Sequence, residues 1–220
     1  MTFAQWKNFL NDLALKNESP APATQSGGNT IAPSSGSTAA AQGSADAVGT
    51  DTFAQINTTL NTNDKGLATI TQGAISATAA AQSTQESPAY ASTSVAVSLP
   101  DADLIFYDQK ENTSNGGNES ATWAASSSTI NFLAIDFKFI DFGSPKIVGK
   151  FSAGSAPEPS ISGNLALFNT NVSASGSNSL TTVDQSALVV EDRFSSVSVW
   201  ATAAVDDRSQ NHGSFLDLFF

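Results

Sequence analysis

Three pairs of carboxylates stand close together along the chain: Asp101/Asp103, Glu191/Asp192 and Asp206/Asp207. Two carboxyl groups facing each other across a cleft can hydrolyse a glycosidic bond, one as acid and one as base or nucleophile. The same oxygens can ligate calcium. Neither an EF-hand loop nor a Gly-rich nonapeptide repeat accompanies them. Each pair falls at the end of an expected strand, where solvated acidic side chains are ordinary. These pairs therefore read as surface, and no catalytic residue, metal or cofactor is expected.

The single histidine, His212, lies between Asn211 and Gly213 and has no G-x-S-x-G partner elsewhere in the chain. It reads as a turn residue rather than as part of a triad. Cysteine is absent, which removes disulfides and thiolate metal sites. Trp123, Trp200, Tyr90 and Tyr107 have faces that can stack on sugars. Trp200 sits in an apolar strand and reads as core. Trp123, in "NESATWAASSS", is the candidate receptor contact. Sequons at Asn17, Asn57, Asn112, Asn118 and Asn171 carry little meaning in so Ser/Thr-rich a chain.

Bulk properties narrow the partners. The 220 residues carry a formal charge of −11 with only nine Lys and Arg. Nucleic acid, which is bound through clustered basic residues, is excluded. Anionic membrane surfaces are disfavoured for the same reason. The opening "FAQWKNFLNDLAL" is broken by polar residues too often to read as a secretory leader. No apolar run reaches the ~18–20 residues that span a bilayer.

The elements that must position these residues begin with a repeat, because "TFAQ" occurs at Thr2–Gln5 and again at Thr52–Gln55. After the first copy, Phe3, Trp6, Leu10 and Leu13 follow a 3-4-3 spacing, which predicts an amphipathic docking helix over 1–18. Residues 19–50 are Ser, Ala, Gly, Thr and Pro with few larger side chains, and predict a flexible linker. After the second copy, Phe53, Ile56, Leu60, Asn63, Leu67, Ile70, Ala74 and Ala77 keep a 3-4 heptad, with Asn63 as a polar layer. This predicts a coiled-coil stalk over 51–88. From 89 to 220 the period changes to two, in segments such as "TSVAVSL", "DLIFY", "STINFLAIDFKFIDF" and "FSSVSVWATAAV". Ile135, Phe137 and Phe139 alternate with Asp136 and Lys138, as on a strand with one buried face. The prediction is a mainly β head, an antiparallel jelly-roll-like β-sandwich, with recognition loops at 112–128 and 169–179. The terminal "FLDLFF" reads as a buried last strand.

A helix, a linker, a heptad stalk and a β head, in that order, resemble the trimeric fibre, spike and head-decoration proteins of bacteriophages. That resemblance implies a homotrimer on the virion surface. Its N-terminal helix would bind a capsid or tail protein, and its head would meet a host-surface glycan or protein. Two other readings stand beside it: an extracellular adhesin or matrix protein exported by a type I system, and a glycan depolymerase.

Overall fold

The computed structural model describes residues 36–84, 88–138, 142, 144–176 and 178–206. The expected docking helix with Phe3, Trp6, Leu10 and Leu13 lies outside them, as do Phe139, His212 and the terminal "FLDLFF".

Among the described residues ten strands make up two sheets. They are β1 (Gly36–Val48), β2 (Asp51–Asp64), β3 (Ala68–Thr84), β4 (Tyr90–Ser98) and β5 (Leu104–Gly117), followed by β6 (Ala121–Phe137), β7 (Lys146–Gly154), β8 (Asn164–Ser175), β9 (Leu180–Val190) and β10 (Phe194–Asp206). The four-stranded sheet runs β4-β1-β10-β9 and the six-stranded sheet β7-β5-β6-β3-β2-β8. The chain is thus mainly β, as its second half predicts. The sheets are not purely antiparallel: both edges of the six-stranded sheet, β7 on β5 and β8 on β2, pair in parallel. This mixed sheet of two hairpins with parallel edge strands departs from the jelly-roll expectation of paired four-stranded sheets.

Two corrections concern the first half of the described chain. Residues 51–84 are not the coiled-coil stalk expected over 51–88, because β2 and β3 form a hairpin at the centre of the six-stranded sheet. Successive strand side chains point to opposite faces, so the heptad positions scatter. Ile56, Leu60 and Ala77 point into the core, whereas Phe53, Asn63, Ile70 and Ala74 lie on the outer face. Leu67 sits in the turn, 73% exposed. The competing period was also in the sequence. Thr52, Ala54, Ile56, Thr58, Leu60 and Thr62 are all buried, and alternate with Gln55, Asn57, Thr59 and Asn61. β-branched Thr favours this pleated setting. Gly66 turns the hairpin at φ +82°, and its N–H donates to Asp64 Oδ1 at 2.7 Å.

The linker expected over 19–50 is largely strand over its described part. Residues 36–48 are β1, a central strand paired on both sides by β4 and β10. Its inward side chains Ala39, Ala41, Ala45 and Ala47 are fully buried although small. The facing sheet supplies the bulk. A Cβ on Gly43 would stand 3.1 Å from Ile75 Cδ1 and 3.6 Å from Ile56 Cδ1, so two isoleucines fill the gap that this glycine leaves. Sheets packed this way need few large residues on one side, which a count of large apolar residues along a segment overlooks.

One core lies between the sheets, built mainly from Ala with Ile56, Leu60, Ile75, Ile130, Phe132, Val197 and Val199. Strands β9, β10, β1 and β4 pack over β8, β2, β3 and β6, while the substantial packing of β5 and β7 stays within their own sheet. In β6 the inward positions are Phe132 and Ala134, not Ile135 and Phe137. Those two lie half-buried on the outer face beside Leu104 and Ile70, a reversal of the expected burial. After β7 the chain crosses the outer face of the six-stranded sheet at one end to reach β8. Gln82 clamps this crossing, donating to the Pro159 carbonyl at 2.7 Å and accepting from the Ile161 N–H at 3.3 Å.

Candidate functional site

The outer face of the six-stranded sheet presents amide and hydroxyl side chains from neighbouring strands. Alternation in "FAQINTTLNTND" and "LFNTNVSAS" puts Thr59 and Asn61 of β2 on this face, with Asn171 and Ser173 of β8 beside them. From β3 comes Gln72, opposite Asn61. Between them lies an open groove of about 370 Å³. It is lined by Thr59, Leu60, Asn61, Gln72, Gly73, Ala74, Phe132, Asn171 and Ser173.

Gly73 lies in the middle of the groove. It lies in register with Leu60 and Phe132, and these three with Ala74 are the apolar part of the lining beneath the polar rim. Asn61 Nδ2 donates to Ser173 Oγ at 2.9 Å, which ties β2 to the edge strand β8 and fixes the amide orientation. None of the lining side chains is ionisable. Such a rim can donate to and accept from neutral hydroxyls. It holds no acid, base or activated nucleophile.

The carboxylate pairs do other work. Asp101 Oδ2 accepts from the Thr38 N–H at 3.1 Å, and Asp103 Oδ2 from the Phe137 N–H at 2.8 Å, so both tie down strand ends. Glu191 and Asp192 form the exposed turn between β9 and β10, with Asp192 at φ 58°. Asp206 accepts from Asn178 Nδ2 at 3.3 Å, and Asp207 lies outside the described residues. Among the described residues, no group of three His, Cys, Asp or Glu side chains converges as a metal site.

The expected receptor loop at 112–128 is instead the hairpin of β5 and β6. Trp123 is half-buried within β6. Its ring covers Gly116, where a Cβ would stand 2.8 Å from Cε2. Together with Phe53, Ala80, Ala125, Ala156 and Ile161 it forms a small second core beneath the crossing segment. Most of the second expected loop, 169–179, belongs to β8. Trp200 is not core; it is 49% exposed on the outer face of β10 and donates to Thr202 Oγ1. Asn61, Gln72 and Asn171 were not singled out by type. The signal that finds them is the every-second-residue Asn and Thr of β2 and β8.

Compared with known proteins, the chain matches no family model, no curated sequence and no solved structure.

Proposed function

We propose that this chain is a non-catalytic attachment module, a β-sandwich that binds neutral glycan through the outer face of its six-stranded sheet. The observation that carries this reading is the groove at Gly73. Uncharged amides and hydroxyls ring an apolar floor there, and no ionisable group lies among them. With β2 and β3 in the sheet, the fibre layout has no stalk at 51–88, so attachment rests on this face rather than on the order of segments. The setting proposed is outside the cell, on a virion or a cell surface, where an acidic chain stays soluble and resists non-specific association.

The test is a glycan array probed with the full chain, followed by calorimetric titration of any ligand found. Neutral oligosaccharides should bind and sulfated ones should not, because the chain carries a net charge of −11. Gln72→Ala with Asn171→Ala should weaken binding roughly tenfold or more by removing two rim amides, at unchanged melting temperature. Binding that survives this double change, or an array without neutral ligands, overturns the proposal.

A further inference from the structure

The flank formed by β8 and β9 exposes two sheet edges at once. β8 ends the six-stranded sheet, β9 ends the four-stranded sheet, and the two strands pack against each other. Half of the exposed large apolar side chains among the described residues lie on these two strands. Phe168, Val183 and Val189 occupy the positions between the sheets, and Leu167, Leu188 and Val190 the outward ones. Across both strands Asp184 is the sole ionisable side chain. The opposite edge strand, β7, carries Lys146 and Lys150. Lysines on an edge are a common device against strand addition. The β8/β9 flank lacks that protection.

We infer that this flank is the interface of a two-fold dimer in which a second copy continues both sheets. A single added strand can satisfy only one of the two edges. A second copy brings both at the same spacing by construction. Turned about an axis normal to the sheets, β9 meets its counterpart antiparallel, and so does β8. Antiparallel pairing of β9 sets the Leu188–Val190 end of one copy against the Leu180–Val183 end of the other. It opposes apolar to apolar, with no run of like charges. The size also fits. A strand of 11 residues is ~36 Å long and two packed sheets with their side chains make a flank ~20 Å deep, giving ~700 Å² per copy. A stable interface takes ~800 Å² per partner.

The experiment is sedimentation equilibrium of the full chain at about ten micromolar, with thermal unfolding of each variant as a control. The wild-type chain should be a dimer. Leu188→Lys and Val189→Lys should each raise the dimer dissociation constant roughly a hundredfold, by placing an unpaired charge against the apolar end of the other copy's β9. Both sites are exposed, so the melting temperature at high dilution should not move. Val148→Lys, on the opposite edge strand and 57% exposed, should leave the dimer intact. A monomeric or trimeric wild-type chain overturns the inference. So does a dimer that survives both flank variants or is broken by Val148→Lys.

Discussion

Phe132 and Gly73 lie against each other across the β3–β6 ladder, so closely that a Cβ on Gly73 would stand 2.7 Å from Phe132 Cζ. The same atom would stand 2.5 Å from the Thr59 carbonyl oxygen on the other neighbouring strand. A side chain at this position therefore meets backbone on one side and a buried ring on the other. Gly73→Ala should destabilise the fold by about 1–3 kcal/mol, although alanine normally improves on glycine within a strand. Chemical denaturation measures this. A neutral or stabilising result would mean that the sheet relaxes around the added methyl without cost.

Trp123 gives the second expectation. An exposed recognition residue could be cut back at no structural loss, but this ring fills the space under the crossing segment with Phe53 and Ile161. Trp123→Ala should cost about 2–3 kcal/mol, read as a melting temperature lower by roughly 5–10 °C. Unchanged melting with lost ligand binding would return Trp123 to the role that its sequence context suggested.

Asp64 and Lys138 pair at 2.8 Å with side chains 16% and 8% exposed, joining the β2–β3 turn to the end of β6. Burial pushes the Asp64 carboxyl upward. The Lys138 ammonium and the Gly66 N–H together outweigh that and hold it below the ordinary carboxylate range. The carboxyl is thus more acidic folded than unfolded. Its contribution is complete above the unfolded value near pH 4 and is lost as pH falls through the lower folded value. Asp64→Asn should lower stability at pH 7 by about 2 kcal/mol, between the values for exposed and buried pairs. The wild-type advantage should shrink below about pH 4. Denaturation midpoints of both proteins from pH 2 to 7 check the sign.

How far the sequence was legible depends on the size of the inward residues. The strands from Tyr90 to Asp206 announce themselves through Val, Ile, Leu and Phe at every second position, bounded by Gly, Asn and Pro. In β1 the inward positions are Ser, Ala and Gly, and in β2 Thr and Ala outnumber Ile56 and Leu60, so alternation is masked by low complexity in one and by a coincident 3-4 spacing in the other. Both 3-4 and period-two templates fit residues 53–63. Only the Asn and Gln at alternate positions break the tie, because they crowd one face of a strand but encircle a helix. The groove was hidden for a further reason. It depends on β8 lying parallel to β2, a pairing that sequence spacing does not disclose, since more than a hundred residues separate Asn61 from Ser173.

The same ambiguity supplies the last prediction, because it makes the two readings of residues 51–84 disagree about a single pair of residues. In a heptad stalk Ile56 and Leu67 are both core positions, and truncating either would loosen the coil. In the sheet they differ entirely: Ile56 is fully buried against Gly43, whereas Leu67 tips the hairpin turn, 73% exposed. Ile56→Ala should therefore cost about 3 kcal/mol, the lost methylenes plus a cavity that a close-packed alanine core cannot collapse to fill. Leu67→Ala removes nothing from the core and should stay within about 0.5 kcal/mol of wild type. Equilibrium denaturation of the two variants side by side decides between them. Comparable losses at both positions would restore the heptad and with it the stalk. A large loss at Ile56 alone places the second TFAQ copy at the start of a strand, and leaves the outer face of that sheet free to be tested for the glycan binding proposed above.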